Sequence, residues 1–227
     1  MSVLAATSYA ITALGTLPGG TSSLARGLNG SGWVAGTADT AGGQFHAFLF
    51  HDGLLQDLGT LGGKTSLATA VSGAGQVIGQ AETADGSLHA CLWSQGHPQD
   101  LGTLGGRNSA LHGFARGAGD ASGPAVGSAE TAAGTVHALL YNNGPFVDLG
   151  SPLGGAGSFA SGMNTTGFLV GGAETATQAT HAFVAIAGGV QDLGTLGGRN
   201  SSATGINAAG QVIGNTETTT GAVHAFL

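Results

Sequence analysis

Short apolar runs alternate with glycine-containing turns along the whole chain, and the alternation is periodic. In one period the runs are LATAV (67 to 71), QVIGQAE (76 to 82), LHACLW (88 to 93) and PQDLGTL (98 to 104), separated by turns such as SGAG and SQGH. This spacing predicts four antiparallel strands per unit. The phrase DLGTLGG begins at Asp57, Asp100 and Asp192, with DLGSPLGG at Asp148 and ALGTLPGG at Ala13. A second phrase, QVIGQAETADGSLHACLW from Gln76, has relatives that start at Trp33, Ala125, Leu169 and Gln211. Alignment on Ser23, Ser66, Ser109, Ser158 and Ser201 gives steps of 43, 43, 49 and 43 residues, the long one carrying most of its excess in 115–124.

A period of about 43 residues with four strands predicts propeller blades rather than the shorter coils of a solenoid. The last repeat stops after its third strand, and the chain opens with SYAITALGTL, which reads as a fourth strand without the other three. The predicted fold is therefore all-β: a single five-bladed β-propeller over 1–227, with four antiparallel strands per blade. The blades fall near 23–65, 66–108, 109–157, 158–200 and 201–227 with 1–22, and the N-terminal strand completes the last blade and closes the ring. Ala and Gly alternate along the first strand of four repeats, as at Ala25 and Gly27 or Ala68 and Ala70, which permits close approach near the axis. Two equivalent sets supply core bulk: Leu28, Val71, Phe114, Met163 and Ile206, then Phe48, Cys91, Leu139, Phe183 and Phe226. Trp33 and Trp93 fall on strand positions and read as packing.

Composition narrows the function. Glycine accounts for 45 of 227 residues, and charged residues make up 7% against about 25% in an average soluble protein. Five basic residues against 12 acidic ones, net charge -7, leave too few cations for nucleic-acid binding. No apolar run is long enough to span a membrane. The single cysteine, Cys91, excludes an internal disulfide framework and reads as buried packing. The opening MSVLAATSYAITALG lacks the basic start and cleavage site of a secretory signal.

The HAFL string at 46–49, its relatives in the other four repeats and the DLGTLGG phrases resemble the HAF repeat family of bacterial extracellular proteins, over essentially the whole chain. The resemblance implies export or surface display, and it implies no reaction. The chain departs from the family's phrase at Ala13, Asp39, Cys91 and Leu139.

Nine acidic residues and five histidines sit at repeat positions. In one set each acid precedes a histidine by seven residues: Asp39 and His46, Glu82 and His89, Glu130 and His137, Glu174 and His181, Glu217 and His224. Each pair spans a hairpin, and the expectation is that the two face each other across it as a structural hydrogen bond. One histidine and one carboxylate per blade fall short of a zinc or calcium ligand set, and no cofactor is expected. Asp57, Asp100, Asp148 and Asp192 are expected to hold local backbone N–H groups. In a four-stranded blade the hairpins with these acids and histidines share a face with the glycine loops that carry Lys64, Arg107 and Arg199. Such a face suits weak, multivalent recognition of glycan or of another extracellular protein by a monomer. The alternatives are a repeat scaffold without a ligand, or an enzyme acting on a polysaccharide or small molecule at a channel mouth. The enzyme reading would use Arg26 and His112, which break the symmetry of the innermost strands, with Arg116 and Asp120 nearby. No G-x-S-x-G or P-loop motif accompanies them.

Overall fold

The computed structural model describes residues 9–115, 123–186 and 189–227. Its strands form five antiparallel sheets in chain order, each a simple meander, with no helix among the described residues. The first sheet holds β1 (Ser23–Leu28), β2 (Val34–Asp39), β3 (Phe45–His51) and β4 (Leu54–Asp57). The second holds β5 (Gly62–Val71), β6 (Val77–Thr83), β7 (Leu88–Ser94) and β8 (His97–Asp100). The third comprises β9 (Gly105–Phe114), β10 (Ala125–Thr131), β11 (Val136–Tyr141) and β12 (Val147–Asp148). The fourth comprises β13 (Gly154–Met163), β14 (Leu169–Thr175), β15 (Thr180–Ile186) and β16 (Gly189–Gly194). The fifth has β17 (Gly197–Ile206), β18 (Val212–Thr218) and β19 (Val223–Phe226).

Local chemistry explains the strands. The turns from β3 to β4 and from β7 to β8 each place two residues at positive φ, Asp52 with Gly53 and Gln95 with Gly96, as a two-residue type I′ hairpin requires. The first strand of each later repeat begins earlier than the apolar run suggests. In β5 the glycine loop itself pairs with the end of β6, Gly62 opposite Thr83, and a bulge then restores the register at Ser66 opposite Ala81.

The core lies between successive sheets. Ala35, Ala47, Leu49 and Leu58 of the first repeat pack on Ala68, Val71, Val77, Cys91 and Trp93 of the second. The pattern repeats from Ile78 and Leu92 onto Leu111 and Leu139, from Val126 onto Met163 and Phe183, and from Val170 onto Ala203 and Ile206. Small residues set the separation between the first strands of neighbouring sheets, since a methyl group added at Gly27 of β1 would lie 2.8 Å from Ala70 Cα of β5. Cys91 is fully buried in the first of these layers, and burial pushes its thiol up to about 12. Trp93 is 1% exposed, and Trp33 packs against that layer, with its ring 4.9 Å from that of His51.

The two ends differ from the interior. The last sheet has three strands among the described residues, and residues 9–22 form none, so the expected fourth strand is not paired with β19. Tyr9 and Ile11 are fully exposed, whereas Leu17 is buried against Ala38 and Phe48 of the first sheet. Leu28 is 70% exposed although its counterparts Val71, Met163 and Ile206 are buried, and Ile213 is 52% exposed although Ile78, Val126 and Val170 are buried. In the two expected core sets Leu28 is exposed, Phe114 and Phe226 are half-buried, and the other seven residues are buried.

Candidate functional site

The register of each hairpin separates the acid from the histidine that sequence spacing pairs with it. His46 stands opposite Ala38, and Asp39 stands opposite Phe45. The same offset places His89 opposite Ala81, His137 opposite Ala129, His181 opposite Ala173 and His224 opposite Thr216. Adjacent strand residues point to opposite faces, so acid and imidazole lie on opposite sides of the sheet. The expected cross-hairpin pairs are therefore not formed, and each group has a different partner.

The histidines pair with the aspartates of the fourth strand. Nδ1 lies 2.9 Å from the carboxylate in His46–Asp57, His89–Asp100 and His137–Asp148, and 2.8 Å in His181–Asp192. An ionised carboxylate only accepts, so Nδ1–H donates and Nε2 is left at the far edge of the ring. The same aspartates accept the N–H groups of Gly59, Gly102, Gly150 and Gly194, at 2.7 to 2.8 Å, as expected for the DLG turns. The phrase at 13–20 has Ala13 where the others have aspartate, and the His224 side chain makes no hydrogen bond among the described residues. In the third repeat Thr135 Oγ1 comes within 3.5 Å of His137 Nε2, but it lies closer, at 2.8 Å, to Thr131 Oγ1.

The other acids brace the glycine loops. Asp39 accepts the N–H groups of Thr21 at 2.8 Å and Ser22 at 2.6 Å, and these bonds, chiefly the one from Ser22, lower its pKa to about 2. Glu82 accepts from Lys64 and Thr65, Glu130 from Arg107 and Asn108, and Glu217 from Arg199 and Asn200. The pKa of each is lowered, led by the Lys64 amide at Glu82, the Asn108 side chain at Glu130 and the Asn200 side chain at Glu217. Glu174 accepts from Ala156. These bonds tie the end of each second strand to the start of the first strand, so hairpins and glycine loops occupy one end of every sheet.

Bonds also cross between sheets at that end. Asn108 Oδ1 accepts from Leu88 N–H, Asn200 Oδ1 accepts from Thr180 N–H, and the Arg199 guanidinium donates to Gln178 O. Arg199 is thus held, while Lys64 and Arg107 make no side-chain hydrogen bond among the described residues. A buried serine bridges each junction. Ser66 Oγ accepts from Ala47 N–H at 2.8 Å and donates to Gly59 O at 2.6 Å. Ser109, Ser158 and Ser201 do the same with Ala90 and Gly102, Ala138 and Gly150, and Ala182 and Gly194.

Sequence reasoning used these serines only as an alignment mark and gave them no role. The histidine–aspartate pairing was also missed, although its signal is present: an 11-residue spacing in four repeats that lapses where Ala13 stands.

The symmetry-breaking residues do not converge. Arg26 lines a cavity of about 540 Å³ between the first and second sheets, and His112 lines an adjoining one of about 290 Å³ between the second and third, Gln80 and Leu88 bordering both. His112 Nδ1 lies 2.8 Å from Ala160 O of the next sheet, so the ring is held by backbone. Arg116 and Asp120 lie outside the described residues. Among the described residues, no group of three or more histidine, cysteine or acidic side chains is placed to hold a metal. No described helix is long and apolar enough to cross a membrane. Compared with known proteins, the chain matches no family model and no curated sequence.

Proposed function

We propose that this chain is a non-catalytic binding or scaffold module, a monomer of five propeller blades that recognises glycan through repeated weak sites on its loop-bearing end. One observation carries the reading: each repeated acid is committed to backbone N–H groups, and four imidazoles are held by aspartates in one geometry with Nε2 turned away from the carboxylate. Such groups hold surfaces in shape and offer hydrogen bonds to hydroxyl groups. Several copies on one rigid body add avidity to a weak contact. The resemblance to HAF repeats supports placement outside the cell or on its surface. The enzyme reading loses support because Arg26 and His112 line different cavities.

A glycan array followed by titration calorimetry tests the recognition. Several equivalent sites per chain are expected, with binding that weakens stepwise as His46, His89, His137 and His181 are changed to Ala in turn. A single site, or affinity indifferent to all four changes, refutes it.

Closure of the ring belongs to the same proposal. The exposed faces around Leu28 and Ile213 carry the residue types that the four internal junctions bury. Residues 10–13 align with β4, and Leu14 aligns with the buried Leu58. Slow amide hydrogen exchange over residues 10–15, comparable to that of Leu54–Asp57, is the expected result. Free exchange there would rule closure out.

A further inference from the structure

The cavity between the first two sheets is unlike its neighbour. It measures about 540 Å³, within the range of sites that enclose a small organic molecule. Its walls include Leu24, Phe45, Leu67 and Leu88, and two of these, Leu24 and Phe45, are more than half exposed. A concave wall of apolar side chains with a few polar groups at its edge suits the hydrocarbon body of a small ligand.

Two polar side chains among the residues that line this cavity make no hydrogen bond. Thr37 is 8% exposed, and its Oγ1 makes no hydrogen bond. That hydroxyl is sealed beneath the wall, so it bears on stability rather than on a ligand. The second group is Arg26. Three of its four counterparts on the innermost strands are spent on backbone carbonyls: Thr69 on Ile78 and Leu111, His112 on Ala160, and Thr204 on Ile213. Arg26 makes no hydrogen bond or ion pair among the described residues, so its planar set of five N–H donors is uncommitted. A guanidinium matches a carboxylate with two parallel hydrogen bonds, and one cation balances one negative charge.

We propose that the cavity between the first and second sheets binds a small amphipathic monocarboxylate, its carboxylate on Arg26 and its hydrocarbon body against Leu24, Phe45, Leu67 and Leu88. The site is independent of the histidine-bearing loops and takes a different ligand, so either assignment stands if the other fails.

The test uses octanoate and 2-naphthoate as probes, with octan-1-ol and octylamine as matched controls, read by calorimetry and by amide chemical shifts of the full chain. Expected are one site per chain for the carboxylates, and shifts centred on 22–26 and 65–67. Arg26→Gln should weaken octanoate by at least about tenfold, and Arg26→Lys should restore part of the loss. His112→Gln, in the neighbouring cavity, should leave binding unchanged. Arg26 is exposed and unpaired, so its variants keep the fold, and an unchanged melting temperature verifies this. Any of three results overturns the proposal: octan-1-ol or octylamine binding as well as octanoate, Arg26→Gln binding like the parent, or no saturation by either carboxylate up to about 10 mM.

Discussion

At the scale of single residues, the chain assigns its few polar side chains to backbone groups. Ser109 is the clearest case, 5% exposed and bridging an N–H of the second sheet and a carbonyl of the loop that follows it. Ser109→Ala strands both backbone groups, and chemical denaturation should show a loss of about 1–3 kcal/mol. Thr37 is the reverse case. Its buried hydroxyl has no partner, so the isosteric Thr37→Val is expected to stabilise the unliganded protein by about 1 kcal/mol, read as a higher melting temperature. The pair His89–Asp100 is partly exposed, with side chains 22% and 44% accessible, and water screens it. His89→Ala should therefore cost only about 0.5–1 kcal/mol by the same denaturation measurement.

At the scale of the strand and its hairpin, one glycine limits what the sheets tolerate. A methyl group added at Gly79 of β6 would sit 1.9 Å from the Leu67 carbonyl oxygen of β5, and four other sheets show the same close approach at Gly36, Gly127, Gly171 and Gly214. Because that obstacle is backbone, Gly79→Ala must break the β5–β6 pairing; loss of the dispersed amide spectrum of 66–81 is the expected readout. Elements of this kind were legible in the sequence because turn residues and the short apolar runs bound them. Their partnerships were only half legible. The four-strand meander of the first four sheets, core positions such as Phe48 and Leu139, and the hold of the DLG aspartates on backbone N–H groups follow from period and residue type, whereas the fourth strand expected for the last sheet is not formed among the described residues. The seven-residue spacing of acid and histidine misled because hairpin register, not distance along the chain, decides which face a side chain takes. His89 lands opposite Ala81 rather than Glu82, and that one-residue offset moves the two groups to opposite faces. The uncommitted state of Arg26 depends on what the next sheet places near it, which no repeat phrase encodes.

At the scale of the whole molecule, carboxylates at one end tie loops in every repeat, so stability should respond to acid. Asp39 titrates at about 2 in the fold against 3.8 ordinarily, and Glu82, Glu130 and Glu217 are lowered as well. A group lowered by folding contributes above its unfolded pKa and ceases to contribute as pH falls through its folded one. The melting temperature should thus be level above about pH 5 and decline from about pH 4 toward 2, with Asp39→Asn flattening part of that decline. Each sheet packs on the next, so cohesion passes from neighbour to neighbour rather than through one central core. The thiol of Cys91 gives access to that property. It is sealed between the first two sheets and disfavours its anionic form, so an aqueous maleimide reaches it only when those sheets part. Its alkylation rate in native buffer is then a clock for one seam of the molecule, and a single natural atom reports how often two neighbouring repeats let go of each other.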